Sequence, residues 1–376
     1  MGDVMLQNFA MNNAAKRKIE AVARSLTTRL SDHQIFKGVS PHIKEREVTG
    51  ICRLLMETVI PECVCLELTV SDSIYIVGDI LGHHRHLLHI FDTFGAPPQA
   101  KYLFLGNYAD VGSMGIETLT LLCAYKVLYP TSIYLLKGKH EIGLIGRDYG
   151  LLEECTKRFS QRSWQSFVTL FLYLPVAAII DDRILCINGG LSPMLCAGIS
   201  KVKKLKQIFR SHITKPEYVT RNSLLSHILW SSPDPGTKGW EQNPAGLGYL
   251  FGPDVVSQFC QSTGLAQIIR SGELVPKGYE FFTDPRLLTI FSAPDFMLTY
   301  GNHGALVRVQ RVGWRDFRSR LIIMKPDLHS RNRPTIRNTV KFEEVSFQIG
   351  TGARRSMFIP PGSICARISS KDKLTA

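Results

Sequence analysis

Three short stretches end an apolar run in a glycine followed by groups that can do chemistry: Gly78-Asp79, Gly106-Asn107 and Gly138-Lys139-His140-Glu141. Positions 78, 106 and 138 are 28 and then 32 residues apart, about one strand-plus-helix unit each. Neighbouring strand ends lie side by side in a sheet, so these groups should converge. Convergent Asp, Asn and His side chains suit two divalent cations about 3.5–4 Å apart that clamp a phosphoryl group. Lys139 does not belong in such a set, because like charges 4 Å apart repel by about 4 kcal/mol even at a surface-like dielectric. His83, His84 and His86 in "ILGHHRHL" offer the one replacement ligand by a shift of register, although their spacing fits the first turns of a helix better.

The elements that must position these groups alternate. "IYIVGD" (74–79), "YLFLGN" (102–107), "IYLLKGK" (133–139) and "RILCINGG" (183–190) read as strands, with helical segments around 84–94, 115–129 and 150–171 between them. After about residue 220 the strands crowd together near 281, 287–292, 305–310 and 320–326. The pattern predicts an α/β fold in one continuous domain over 41–326. It is preceded by an N-terminal extension (1–40) and followed by a basic, mostly flexible C-terminal tail (327–376).

With 376 residues and 44% hydrophobic composition the chain can bury a large core, and no apolar run is long enough to cross a bilayer. The start lacks the order of a signal peptide, and nine cysteines without a CxxC pair predict reduced thiols, hence a cytoplasmic or nuclear setting. The net charge of +13 attracts acidic partners, nucleic acid among them. Its densest segment, 199–215, carries Val202, Leu205, Ile208 and Phe209 at helical spacing and reads as a solvated basic helix face.

The full motif set resembles the metal-dependent serine/threonine phosphoprotein phosphatases, of the type-1 catalytic-subunit kind. The resemblance runs over roughly 41–326 and is carried by "YLFLGNYADVGSMGIETLTLLCAYKVLYP", "GLLEEC", "LPVAAIIDDRILCINGGLSP", "LWSSPDP", "GYEFF" and "FSAPDF". It implies a calcineurin-like metallophosphoesterase β-sandwich flanked by α-helices, with a site for two metals of the Mn, Fe and Zn class on loops at one end.

Against that family's motifs the chain departs position by position. Asp79 is the one retained metal ligand; Leu81, Asn107, Lys139, Asn188 and Gly272 stand at the other five ligand positions. Val111 and Ala245 replace two phosphate-binding arginines, and Phe296 replaces an active-site tyrosine. Asp110 and His140, the general-acid pair of the family, are both present, a vestigial pair without its metals. Lys139 then reads as an internal cation paired with Asp79 or Asp110, or else as a side chain turned to solvent.

The resemblance so modified implies a pseudophosphatase with no cofactor expected, which binds phosphatase regulators or phosphoproteins; nucleic acid and membranes are not expected as partners. The competing readings are an enzyme with an altered, single-metal site and a basic nucleic-acid-binding protein on the same fold. In the type-1 enzymes a surface groove captures Val-x-Phe peptides. Ile184 and Phe281 retain apolar parts of it here, whereas Gln267 and Arg311 depart. The tail itself carries two Val-x-Phe patterns, Val340-Lys341-Phe342 and Val345-Ser346-Phe347, which raises the idea of self-docking.

Overall fold

The computed structural model describes residues 12–283, 285–313, 317–327 and 340–348. Helix α1 (Asn13–Leu30), a 3-10 turn (His33–Lys37) and α2 (Glu45–Val59) come first, followed by β1 (Cys65–Leu68) and β2 (Ser73–Val77). Then come α3 (His84–Phe94), β3 (Tyr102–Phe104), α4 (Gly115–Leu128) and β4 (Ile133–Leu135), the expected alternation. Three short helices, α5 (Gly143–Asp148), α6 (Leu151–Arg158) and α7 (Gln161–Phe171), lead into the hairpin of β5 (Ala177–Ile180) and β6 (Ile184–Ile187). Helices α8 (Pro193–Cys196), α9 (Val202–His212) and α10 (Leu224–Trp230) follow, then a small sheet of β7 (Ser232–Pro233), β8 (Trp240–Gln242) and β9 (Tyr249–Phe251). The chain continues through α11 (Pro253–Thr263), β10 (Gln267–Arg270), β11 (Tyr279–Phe282), β12 (Leu287–Ile290), β13 (Gly304–Arg311), β14 (Phe317–Pro326) and β15 (Val340–Gln348).

Two six-stranded sheets result, ordered β1-β5-β6-β10-β12-β11 and β15-β14-β13-β2-β3-β4. Side chains alternate across a strand, and β2 shows the consequence: Ile74 and Ile76 face the layer between the sheets, while Tyr75 and Val77 face the helices. The inter-sheet layer includes Leu68, Leu103, Leu105, Ile180, Ile184, Ile269, Ile290 and Val307, all buried. Helices α1 to α4, with α6 and α7, cover the outer face of one sheet, and α8 to α11 cover that of the other. The fold is therefore the expected β-sandwich flanked by helices.

Two expectations need correction. Ala23, Leu26 and Leu30 of α1 are fully buried in the same core as α2 and α4, so the segment read as an N-terminal extension packs as part of the domain. Residues 340–348, read as part of a flexible tail, form β15, paired antiparallel with β14 from Val340↔Pro326 to Gln348↔Arg318. The rest of that tail beyond Asp327, residues 328–339 and 349–376, lies outside the described residues.

Helix α9 buries Leu205, Ile208 and Phe209 as its spacing predicts. Two of its cations are engaged: Lys206 pairs with Glu67 and Asp182, and Arg210 pairs with Glu67. The eight cysteines among the described residues are all free, and no helix there is long and apolar enough to cross a membrane.

Candidate active site

The register of the sheets gathers the strand ends. β2, β3 and β4 run parallel with Val77, Phe104 and Leu135 abreast, so Asp79, Asn107 and Lys139 emerge along one edge. In the other sheet Ile187 lies opposite Arg270, which sets Asn188 beside Ser271 and Gly272. A bridge between Asp79 and Phe291 joins the two groups. Five of the sequence-derived positions, Asp79, Asn107, Lys139, Asn188 and Gly272, therefore share one locality, the first three as their spacing predicted.

Asp79 is buried and its carboxylate is filled by neighbours. Ser271 Oγ donates to Oδ1 at 2.5 Å, the Gly272 amide reaches the same oxygen at 3.1 Å, and Asn107 Nδ2 donates to Oδ2 at 2.9 Å. Ser271 Oγ also accepts from the Asp79 amide at 2.9 Å. Asn107 holds a left-handed backbone (φ 59°), a conformation Asn tolerates, and its Oδ1 accepts from the His140 amide at 3.0 Å. Asn188 donates to the Leu105 carbonyl at 3.1 Å and accepts from the Lys139 amide at 3.4 Å. Gly138 makes this closeness possible: a Cβ there would stand 2.4 Å from Asn107 Oδ1 and 2.8 Å from Asn188 Nδ2.

Lys139 bonds neither Asp79 nor Asp110. Its Nζ donates to the Gly272 carbonyl at 2.7 Å, across the two sheets, and the side chain is half-buried. Glu273 stands nearby. Burial works against its charge, yet the Arg270 guanidinium, bonded at 2.6 Å, and Lys139 together hold its carboxyl below the ordinary range. The expected internal cation is present, but its partner is a backbone carbonyl. Sequence could not name that partner, because a carbonyl exists at every residue.

Leu81, Val111 and Phe296 come together. Leu81 is buried with Val275, Phe291 and Ala293, and Val111 and Phe296 pack on the same cluster. Three of the positions at which the sequence was read as departing from the resembling family thus form one apolar plug. Ala245 sits apart, exposed on the turn between β8 and β9.

Asp110 and His140 keep their pairing, Oδ2 to Nδ1 at 2.6 Å, and Asp110 Oδ1 accepts from the Leu151 amide at 3.1 Å. Glu141 is buried and accepts from the amides of Asn107, Tyr108 and Gly138, which staples β3's end to β4's; burial still pushes its carboxyl up. None of the three histidines moves in as a replacement ligand. His84 Nε2 bonds the Leu30 carbonyl at 2.8 Å, and His83 and His86 stack with centroids 5.4 Å apart. Burial pushes His83 and His84 down to about 4.

Sequence reasoning passed over Ser271, whose only signal was its place beside Gly272, and singled out Glu141 without naming its backbone partners.

Of the groove positions, Ile184 is fully buried between the sheets and forms no part of a surface. Phe281 is half-buried, and its neighbour is Phe347 of β15, with ring centroids 5.4 Å apart at 81°. Gln267 is buried and donates to the Pro285 carbonyl at 2.8 Å, and Arg311 pairs with Asp181 at 2.6 Å.

A profile of the calcineurin-like phosphoesterase family matches residues 73–276. Among solved structures, a protein serine/threonine phosphatase from Saccharomyces cerevisiae, described as similar to human phosphatase PP5, is 28% identical, covers 76% of this chain and 88% of its own, and superposes with a TM-score of 0.67. A cold-active protein-tyrosine phosphatase of a Shewanella species is 12% identical, covering 70% of this chain and 81% of its own at a TM-score of 0.47. The matched family uses divalent metals, which overturns the expectation that no cofactor is involved. The residues of this chain do not fit such a metal pair in the arrangement described. Asp79 is saturated, an ammonium stands at Lys139, Leu81 and Gly272 offer no side-chain donor, and no group of three or more His, Cys, Asp or Glu suited to a metal occurs among the described residues.

Proposed function

Since this chain belongs to the calcineurin-like phosphoesterase family, we propose that it is a serine/threonine phosphatase homologue that binds protein partners without hydrolysing phosphoesters. One observation carries the reading: the Lys139 ammonium, bonded to the Gly272 carbonyl, supplies the positive charge at the converging strand ends. A fixed ammonium can attract an anion, but it cannot lower the pKa of a water or polarise two oxygens at once. The Asp110–His140 pair remains able to hold or deliver a proton. General-acid assistance contributes about 10²–10⁴-fold, far short of the acceleration that phosphate-ester hydrolysis demands.

The partner classes that suit this reading are phosphatase regulators and phosphoproteins. Nucleic acid is disfavoured, because α9, a basic helix without an acidic residue, spends Lys206 and Arg210 on carboxylates.

The test is hydrolysis of phosphoserine peptides and of an activated aryl phosphate by the full chain, with and without added Mn²⁺. The expected result is no turnover above the blank in either condition. Lys139→Asn alone should not restore it, because Leu81, Asn107, Asn188 and Gly272 remain. Turnover by the unmodified chain that His140→Ala abolishes would overturn the reading.

A further inference from the structure

Residues directly opposite one another on neighbouring strands share a face of the sheet. Tyr75 of β2, Arg308 of β13, Arg320 of β14 and Ser346 of β15 therefore form one row on the side that faces the helices. The row before it, with Val77, Leu306 and Ile322, is buried under those helices. The row after it, with Ser73, Gln310 and Arg318, is not: Arg308 and Arg320 are half-buried and Arg318 is exposed. Because β2 runs from Ser73 toward Asp79, this patch lies at the other end of the sheet, about 13–20 Å from the converging strand ends.

Folding does not favour such a row, since like charges directly opposite one another repel. Arg308 lies over the Tyr75 ring, its guanidinium carbon 5.6 Å from the centroid, and reaches Ser73 Oγ at a long 3.5 Å. Arg320 gives one terminal nitrogen to Glu344 at 3.2 Å. The Nε–H groups of both arginines are buried without an acceptor. An arginine Nε always carries its proton, so each is a donor whose missing acceptor costs free energy. Arg308 and Arg318 form no ion pair among the described residues, whereas Arg311, further along β13, is engaged by Asp181. Asp72, within 3.5 Å of the Ser73 hydroxyl, flanks the patch.

We propose that this patch docks an acidic segment of a partner protein, its Asp or Glu carboxylates set against Arg308, Arg318 and Arg320. A carboxylate meets an arginine fork with two parallel bonds, and the Nε–H groups are donors for one. Arg318 and Arg320 stand two residues apart on β14, about 7 Å, which is the spacing of alternate side chains on an extended segment. The acid comes from outside the chain. Residues 328–339 contain no Asp or Glu, and 349–376 carry five Lys or Arg against one Asp. Nucleic acid suits the patch less well, because its aromatic ring, Tyr75, is buried beneath Arg308 and offers no face to a base. The inference rests on the reading of the protein as a partner-binding homologue and gives one partner its chemistry.

The experiment is a fluorescence-anisotropy titration of the full chain at low salt with three probes: a labelled peptide of alternating Glu and Ser, the same peptide with Gln for Glu, and an oligothymidylate of equal charge. The Glu peptide should bind about tenfold or more tightly than the Gln peptide, and added salt should weaken it. Arg308→Gln combined with Arg318→Gln should weaken the Glu peptide about tenfold. The charge-matched pair Lys203→Gln and Lys204→Gln on α9 should change it less than about twofold. Arg318→Gln alone, at an exposed position, should weaken it about threefold and serves if the double variant folds poorly. Unchanged affinity in both arginine variants, an equal loss in the α9 variant, or no binding of the Glu peptide at millimolar concentration would overturn the proposal. Oligothymidylate binding as tightly through the same arginines would overturn the assignment to a protein segment. Turnover of a phosphopeptide by the same samples would overturn the silence proposed above and leave this surface standing, and failure of the Glu peptide would leave that silence untouched.

Discussion

At Asp79 a carboxylate has no exit to solvent and relies on the Ser271 hydroxyl, the Gly272 amide and the Asn107 amide. Removing one donor leaves a buried charge short of a partner, which costs about 1–3 kcal/mol. Ser271→Ala also strips the Asp79 amide of its acceptor. It should therefore lower unfolding stability by about 2 kcal/mol, read as a shift in the urea midpoint at constant slope. Lys139→Met forfeits one charge-assisted bond from a half-buried side chain and should cost less, about 1 kcal/mol. At this scale the sequence reveals which chemistry has been lost, because each substitution is a change of residue type at a recognisable motif position. What has replaced it was less legible. The Leu81, Val111 and Phe296 plug joins residues far apart in the chain, and the partner of Lys139 is main chain.

Helix α3 carries a titration liability. His84 and His86 are buried, and desolvation pushes His84 down to about 4 and His86 well below its usual value. A base whose folded pKa is depressed leaves stability intact above its unfolded value of 6.5 and takes it away as pH falls toward the folded value. Thermal midpoints should therefore drop between pH 6.5 and 4.5, with a loss of up to about 3 kcal/mol per ring. Glu154 works the other way in much of this window. Burial and then Glu117 push its carboxyl up to about 7, so its protonation on acidification favours the folded state and offsets part of the loss. His84→Gln, which keeps a donor for the Leu30 carbonyl, should flatten the profile; an unchanged slope would show that the liability lies elsewhere. Among elements, β2, β3, β4 and α3 were legible from period and glycine punctuation. β15 was not, because its apolar residues change face midway: Val340 and Phe342 pack toward the helices, and Val345 and Phe347 pack toward the inter-sheet layer. Each half spans three residues, too short to show an alternating pattern amid polar neighbours.

Across the whole molecule, the sandwich was readable from the order of strands and helices, whereas the way its edge is closed was not. β15 covers the outer strand β14, with Phe342 against Phe94 and Phe347 against Phe281. Ending the chain after Pro326 would uncover the ten-residue strand β14 together with two half-covered aromatic rings. A loss of about 2–3 kcal/mol and concentration-dependent association are expected, measurable by thermal unfolding and by light scattering. A monomer of unchanged stability would show that β15 is dispensable. The pairing also sets a competition. A strand tethered to its own sheet meets that edge at an effective concentration on the order of millimolar. A free peptide of equal intrinsic affinity at micromolar concentration is outweighed about a thousandfold, or ~4 kcal/mol. An outside strand can take this edge only if it also grips the molecule at a second place, so the edge selects for bivalent visitors and ignores solitary ones.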